Sequence, residues 1–230
     1  MKLQHLGSAV LVGIILLAVS VVYADDRPLS GAVGAITIDD NVIIPSGTTA
    51  VLNGTSIRGN VRVMDNAQLT MVGARVDGDV QAYSARSVDL RQGTQVQGNV
   101  QGENTISVLV RENTSVGGNV QIKEARAAAS QNGLLVSGSQ VKGDVQAEKS
   151  SGKLTTTGNA IGGNLQFVEN KTGSYTISNN TINGDLQFFK NRGSGTITGN
   201  HIKGNLQSKE NSTAPAVQNN QVQGDTEIEG

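Results

Sequence analysis

The sequence predicts an all-β fold, a single-stranded right-handed parallel β-helix with about 20–21 residues per coil and nine or more coils. Three observations lead there. A six-residue phrase returns nine times at a nearly constant interval. The stretches between the phrases alternate apolar and polar residues in short runs. Gly, Asn and Gln stand where an ordinary domain carries charge: 29, 21 and 17 of them, with 16% charged residues, where about a quarter is usual.

The phrase is aliphatic, any residue, Gly, Asn or Asp, aliphatic, Gln. It runs from Ile57-Arg58-Gly59-Asn60-Val61-Arg62 through Val96-Gln97-Gly98-Asn99-Val100-Gln101 to Val222-Gln223-Gly224-Asp225-Thr226-Glu227. Its glycines fall at 59, 78, 98, 118, 143, 163, 184, 204 and 224, intervals of 19 to 21 residues except for one of 25. A period near 20 suits a leucine-rich repeat or a β-solenoid, and the Leu-rich helical face of the first is missing. Runs such as Gln68-Leu69-Thr70-Met71-Val72 and Ser174-Tyr175-Thr176-Ile177-Ser178 read as short strands joined by Gly/Asn turns. Each repeat is then one coil, stacked about 4.8 Å from the next, and the crossover rule makes the winding right-handed.

Alignment on the glycine assigns the core. Two places before it every coil has Ile or Val; two places after it every coil has Val or Leu until Thr226. Both columns face inward, because a thin solenoid has only such columns for a core. Four places after the glycine Phe167 and Phe188 stack in adjacent coils, with small Ala147 and Ser208 on either side. The division expected is a signal peptide over residues 1–24, an opening coil and cap over 25–56, and the repeat domain over 57–230. The leader has one Lys, an apolar run over residues 6–22 and a small residue, Ala24, before Asp25-Asp26, which predicts export to the periplasm, cell surface or medium. The membrane is a partner only if that run is retained as an anchor.

Three polar columns carry the candidate sites. The residue after each glycine is Asn or Asp, and Asp144, Asn164, Asp185, Asn205 and Asp225 form its later part. A turn ladder is one reading. A carboxylate pair is the other, since Asp144 and Asp185 lie two coils apart, about 9.5 Å by strand spacing. Three places after the glycine runs a Gln column bounded by Arg62 in the first phrase and Glu227 in the last. These charges either guard the edges or meet head to tail between molecules. Thr155-Thr156-Thr157, Thr176-Ile177-Ser178 and Thr196-Ile197-Thr198 form a third array, a hydroxyl ladder or simply good strand residues. The long interval places an insertion near residues 124–132, where a solenoid can bind a partner.

Composition excludes much. There is no Cys, hence no disulfide framework or thiolate metal site, and one of the two His lies in the leader. A net charge of -1 offers no basic field for nucleic acid. No nucleophile elbow, P-loop, dinucleotide or His-Glu-x-x-His motif is present, so neither a cofactor nor a catalytic set is expected. Asn53, Asn113, Asn170 and Asn211 head glycosylation sequons.

The phrase Val-x-Gly-Asp/Asn-Val, over residues 57–228, resembles the repeats of bactofilins, bacterial β-helix proteins, and of exported bacterial proteins with Gly-Asn-Leu-Gln repeats. The bactofilin resemblance implies end-to-end polymerisation without nucleotide, although bactofilins have shorter coils and work on the cytoplasmic side. The function expected is an exported structural or assembly solenoid that associates with itself. A polysaccharide-binding or polysaccharide-cleaving β-helix is the alternative.

Overall fold

The computed structural model describes residues 26–229 apart from residue 172. The leader expected over residues 1–24 lies outside the described residues. Each coil gives one short strand to each of three sheets, and every strand pair is parallel. The first sheet has 11 strands, from Asp26–Pro28 to Thr226–Ile228. The second has 10, from Gly31–Val33 to Ala216–Gln218, and the third 10, from Thr37–Ile38 to Gln221–Val222. The result is a β-solenoid of about 10 turns.

Like residues stand over like. Val80 pairs with Val100 and Gln81 with Gln101; one coil on, Val100 pairs with Val120 and Gln101 with Gln121. The period-two pattern selects this register, because a slip of one residue would turn every buried Val outward. Ile57, Val76, Val96, Val116, Val141, Ile161, Ile182 and Ile202 are all buried, as are Val61, Val80, Val100, Val120, Val145, Leu165, Leu186 and Leu206. A further pair of inward columns comes from the second sheet, for example Val108 and Val110 beneath Leu134 and Val136.

The aromatic core is a triad. Phe167 and Phe188 stack in register with ring centroids 6.5 Å apart, and Tyr175 meets them from the second sheet at 6.3 and 5.2 Å. Small residues make room around it: Ala147 precedes Phe167, Ser208 follows Phe188, and Gly195 follows Tyr175 in their columns. A Cβ on Gly195 would lie 3.3 Å from both Phe188 Cζ and Tyr175 Cβ.

Residues 26–56 supply the opening coils of the same lattice: Asp26–Pro28 pairs with Asn41–Ile44, which pairs with Val61–Val63. The insertion is absorbed at one corner. Arg126 bridges Ser151, and Gln131 N–H closes a turn on Ala128 O at 2.9 Å. The register then shifts between Asn132 and Leu134, after which Leu134 and Val136 resume the core.

Candidate functional site

The Gly-Asx phrase makes the turn from the third sheet into the first, and its chemistry runs between coils. Oδ1 of each Asn or Asp accepts the main-chain N–H of its counterpart in the following coil. This holds from Asn41–Asn60 at 2.9 Å, through Asp79–Asn99 at 2.7 Å and Asp144–Asn164 at 2.7 Å, to Asn205–Asp225 at 2.8 Å. The side chain reaches that N–H by passing over the preceding glycine. A Cβ on Gly78, Gly98, Gly143, Gly163 or Gly204 would collide with the Oδ1 beneath it and with a neighbouring main-chain atom. Backbone freedom is therefore not what the column needs: its Asx residues have no positive φ, and glycine is required by the close approach.

Asp144, Asn164, Asp185, Asn205 and Asp225 are successive rungs of this ladder. The Asp144 carboxylate accepts from Asn164 N–H at 2.7 Å and from Gln146 Nε2 at 3.4 Å; Asp185 accepts from Asn205 N–H at 2.7 Å. Asn164 lies between the two carboxylates and donates to the first, while its own Oδ1 takes the Asp185 N–H at 2.8 Å.

The Gln column is a directional amide ladder. Nε2 of each Gln donates to Oε1 of the next from Gln81 to Gln207, over 2.6 to 3.4 Å. The amide dipoles align, leaving a carbonyl end at Gln81 and an amino end at Gln207. Arg62 is in register with Gln81, and Glu227 with Gln207. Each charge has the sign that complements its end of the ladder, as charges complement the ends of a helix.

Arg62 ends the Gln column but not the sheet. Ile43 and Pro28 stand below it in the same column. Its guanidinium donates to Asp26 Oδ2 at 2.7 Å, with the two side chains only 14% and 1% exposed. Arg62 is thus ion-paired within the chain, two coils inside the described edge. Glu227 is exposed on the last strand and pairs with Lys209.

Two further ladders escaped the sequence reading. Asn159, Asn180, Asn200 and Asn220 stack at the corner between the second and third sheets; each of the first three donates its N–H to the next Oδ1 at 2.9 to 3.1 Å. Asn170, Asn191 and Asn211 do the same at the corner between the first and second, at 2.9 to 3.1 Å. Their Nδ2 groups bond core carbonyls such as Val136 O and Phe167 O. Earlier coils put Thr, Ala or Ser in these columns, which hid the equivalence. Asn170 and Asn211 are buried, so those two sequons face inward.

The Thr array splits by parity. Thr155, Thr176 and Thr196 align outward, as do Thr157, Ser178 and Thr198, while Thr156 points into the core. His201 Nδ1 meets Gln221 Oε1 at 3.1 Å. A shallow groove of about 400 Å³ is lined by Asn113, Ser115, Gly138, Gln140, Gly158 and Ala160, among others, none of them acidic or basic.

No family model, no curated protein and no solved structure matches this chain.

Proposed function

We propose that this protein is an exported structural rod of the periplasm or cell surface, working as a stiff spacer. The observation that supports this reading is the unbroken set of inter-coil ladders. Main-chain hydrogen bonds run through the 11 strands of the first sheet, the Asx ladder joins Asn41 to Asp225 and the Gln ladder Gln81 to Gln207, giving a rod roughly 50 Å long by strand spacing. Every coil is tied to both neighbours, and rigidity follows from that.

The first and last described strands carry groups that resist further pairing. Continuing the register from one molecule to the next would set Asp225 over Asp26 and Glu227 over Pro28. In this sheet the inward residues donate toward the following coil, as Val42 N–H does to Asn60 O at 2.8 Å. Alternation along a parallel strand turns the outward residues toward the preceding coil. Pro28, in the outward column, has no N–H to offer there, and the last described coil carries Asp225, Glu227 and Glu229, of which Glu227 pairs with Lys209. Proline and like charge are the ordinary means of blunting a sheet edge.

Cell fractionation, with electron microscopy and sedimentation of the protein purified as its host processes it, tests this reading. Single rods about 50 Å long in the periplasmic or surface fraction are expected. Filaments at neutral pH, or a cytoplasmic location, would overturn it.

A further inference from the structure

The charge of the chain is unevenly placed. Residues 119–204 hold nine Lys or Arg against five Asp or Glu, whereas residues 205–229 hold one against four. The basic surplus concentrates at the corner between the first and second sheets. There one column reads Arg86, Ile106, Arg126, Ser151, Lys171, Arg192, Ser212, each N–H donating to a carbonyl of the coil beneath at 2.8 to 3.1 Å. The column contains four cations and no carboxylate.

The neighbouring columns are neutralised internally. Two positions earlier the order is Glu124, Lys149, Glu169, Lys190, Glu210, with alternating signs; Lys149 meets Glu169 at 3.7 Å and Lys190 meets Glu210 at 3.7 Å. On the first sheet Glu103, Lys123 and Glu148 alternate in the same way. Arg86, Arg126, Lys171 and Arg192 have no ion pair among the described residues, and all four are exposed. Arg126 Nε is held by Asn104 O at 2.8 Å. Beneath Lys171 and Arg192 runs the buried ladder Asn170–Asn191–Asn211, so the backbone carrying the cations is already ordered and loses little freedom on binding.

We propose that this corner is a binding track for a linear acidic polysaccharide lying along the rod, contacted by Arg126, Lys171 and Arg192, with Arg86 at its far end. The inference extends the reading above by naming what the rod holds. Lys171 and Arg192 are about 4.8 Å apart in height, a spacing that suits successive charges on one extended chain. Ser151 and Ser212 stand in the same column, hydroxyls that match sugar hydroxyls. Single-stranded nucleic acid would call for stacking aromatics, and a lipid surface for apolar residues between the cations; Phe167, Phe188, Phe189 and Tyr175 beside Lys171 and Arg192 are buried, and Tyr83 near Arg86 is only partly exposed. Arg126 stands in line with Ile106 before the insertion, and its main chain bridges Ser151, one coil below Lys171.

Native affinity electrophoresis through polygalacturonate, with neutral dextran as the parallel gel, tests the track. Retardation by polygalacturonate alone is expected, weakening steeply with salt because counterions are released. The triple variant Arg126→Ser, Lys171→Ser, Arg192→Ser is expected to bind at least tenfold more weakly. Lys142→Ser with Lys203→Ser, on the opposite corner, is expected to bind as the parent does, and β-type circular dichroism of both variants checks folding. Absence of retardation, equal loss in the two variants, or tighter binding to an oligonucleotide or to anionic vesicles would overturn the proposal. Each of these results leaves the rod reading standing, since that reading is decided by images and location.

Discussion

Oδ1 of Asp79 accepts the main-chain N–H of Asn99 at 2.7 Å, and in doing so fills the space a side chain on Gly98 would need. Gly78 O lies 2.8 Å from the same point. Two residues that look like separate parts of a repeat are one packing unit across two coils. Gly98→Ala is therefore expected to lower the melting temperature by several degrees and to lose about 2–4 kcal/mol, in the range of overpacked cores. Gly34→Ala, where a Cβ meets nothing within 4 Å, is expected to melt as the parent does. Thermal unfolding followed by circular dichroism compares them, and equal melting of the two variants would refute the clash.

Thr156 places a buried hydroxyl without a hydrogen-bond partner between Val136 and Ile177 in the core. Thr156→Val keeps the shape and removes the desolvated group, so a gain of about 1 kcal/mol is expected. Thr94 is the contrast: its hydroxyl donates to Arg91 O at 2.8 Å, and Thr94→Val is expected to lose a similar amount. Denaturant melts that shift both variants the same way would count against this account.

Asp26→Ala strips Arg62 of its partner at a site where both side chains are nearly covered. Breaking a pair of this kind costs about 3 kcal/mol or more, and the loss is expected to stay local. Hydrogen exchange should quicken in Asp26–Pro28 and Asn41–Ile44, with Leu165–Val168 unchanged. Asp26→Ala with Arg62→Met is expected to recover part of the protection.

Burial pushes the Tyr175 phenol up to about 12 from 10. Below pH 10 the folded and unfolded chains both keep the proton, so stability is unaffected. Between pH 10 and 12 only the unfolded chain loses it, and stability falls as pH rises, by about 2–3 kcal/mol in all. Tyr175→Phe is expected to flatten that alkaline decline in melting temperature. A decline of undiminished slope in the variant would assign the effect elsewhere.

The coil period and the inward columns flanking the glycine were legible because each follows from a period: residues at a fixed spacing must share a column once coils stack. The placement of Phe167 against Phe188 followed from the same alignment. The strands below Arg62 were not legible because the opening coils lack the phrase's glycine: Asn41-Val42 keeps its Asn and aliphatic residue, but Asp40 stands where the glycine would be. The inner ladders through Asn159 and Asn170 begin only in later coils, with Ser139 and Ser150 in the same columns below, so nine-fold repetition could not expose them.

Sequence by itself determined the lattice here, through glycines about 20 residues apart and alternating Val and Ile that have one way to be buried together. Only the tertiary structure decided the direction of the Gln ladder, the partner of Arg62 and the column that joins Arg126 to Lys171. Those depend on which side chains the corners bring within a few ångströms across coils, and corner geometry is set by hydrogen bonds between coils rather than by any local run of residues.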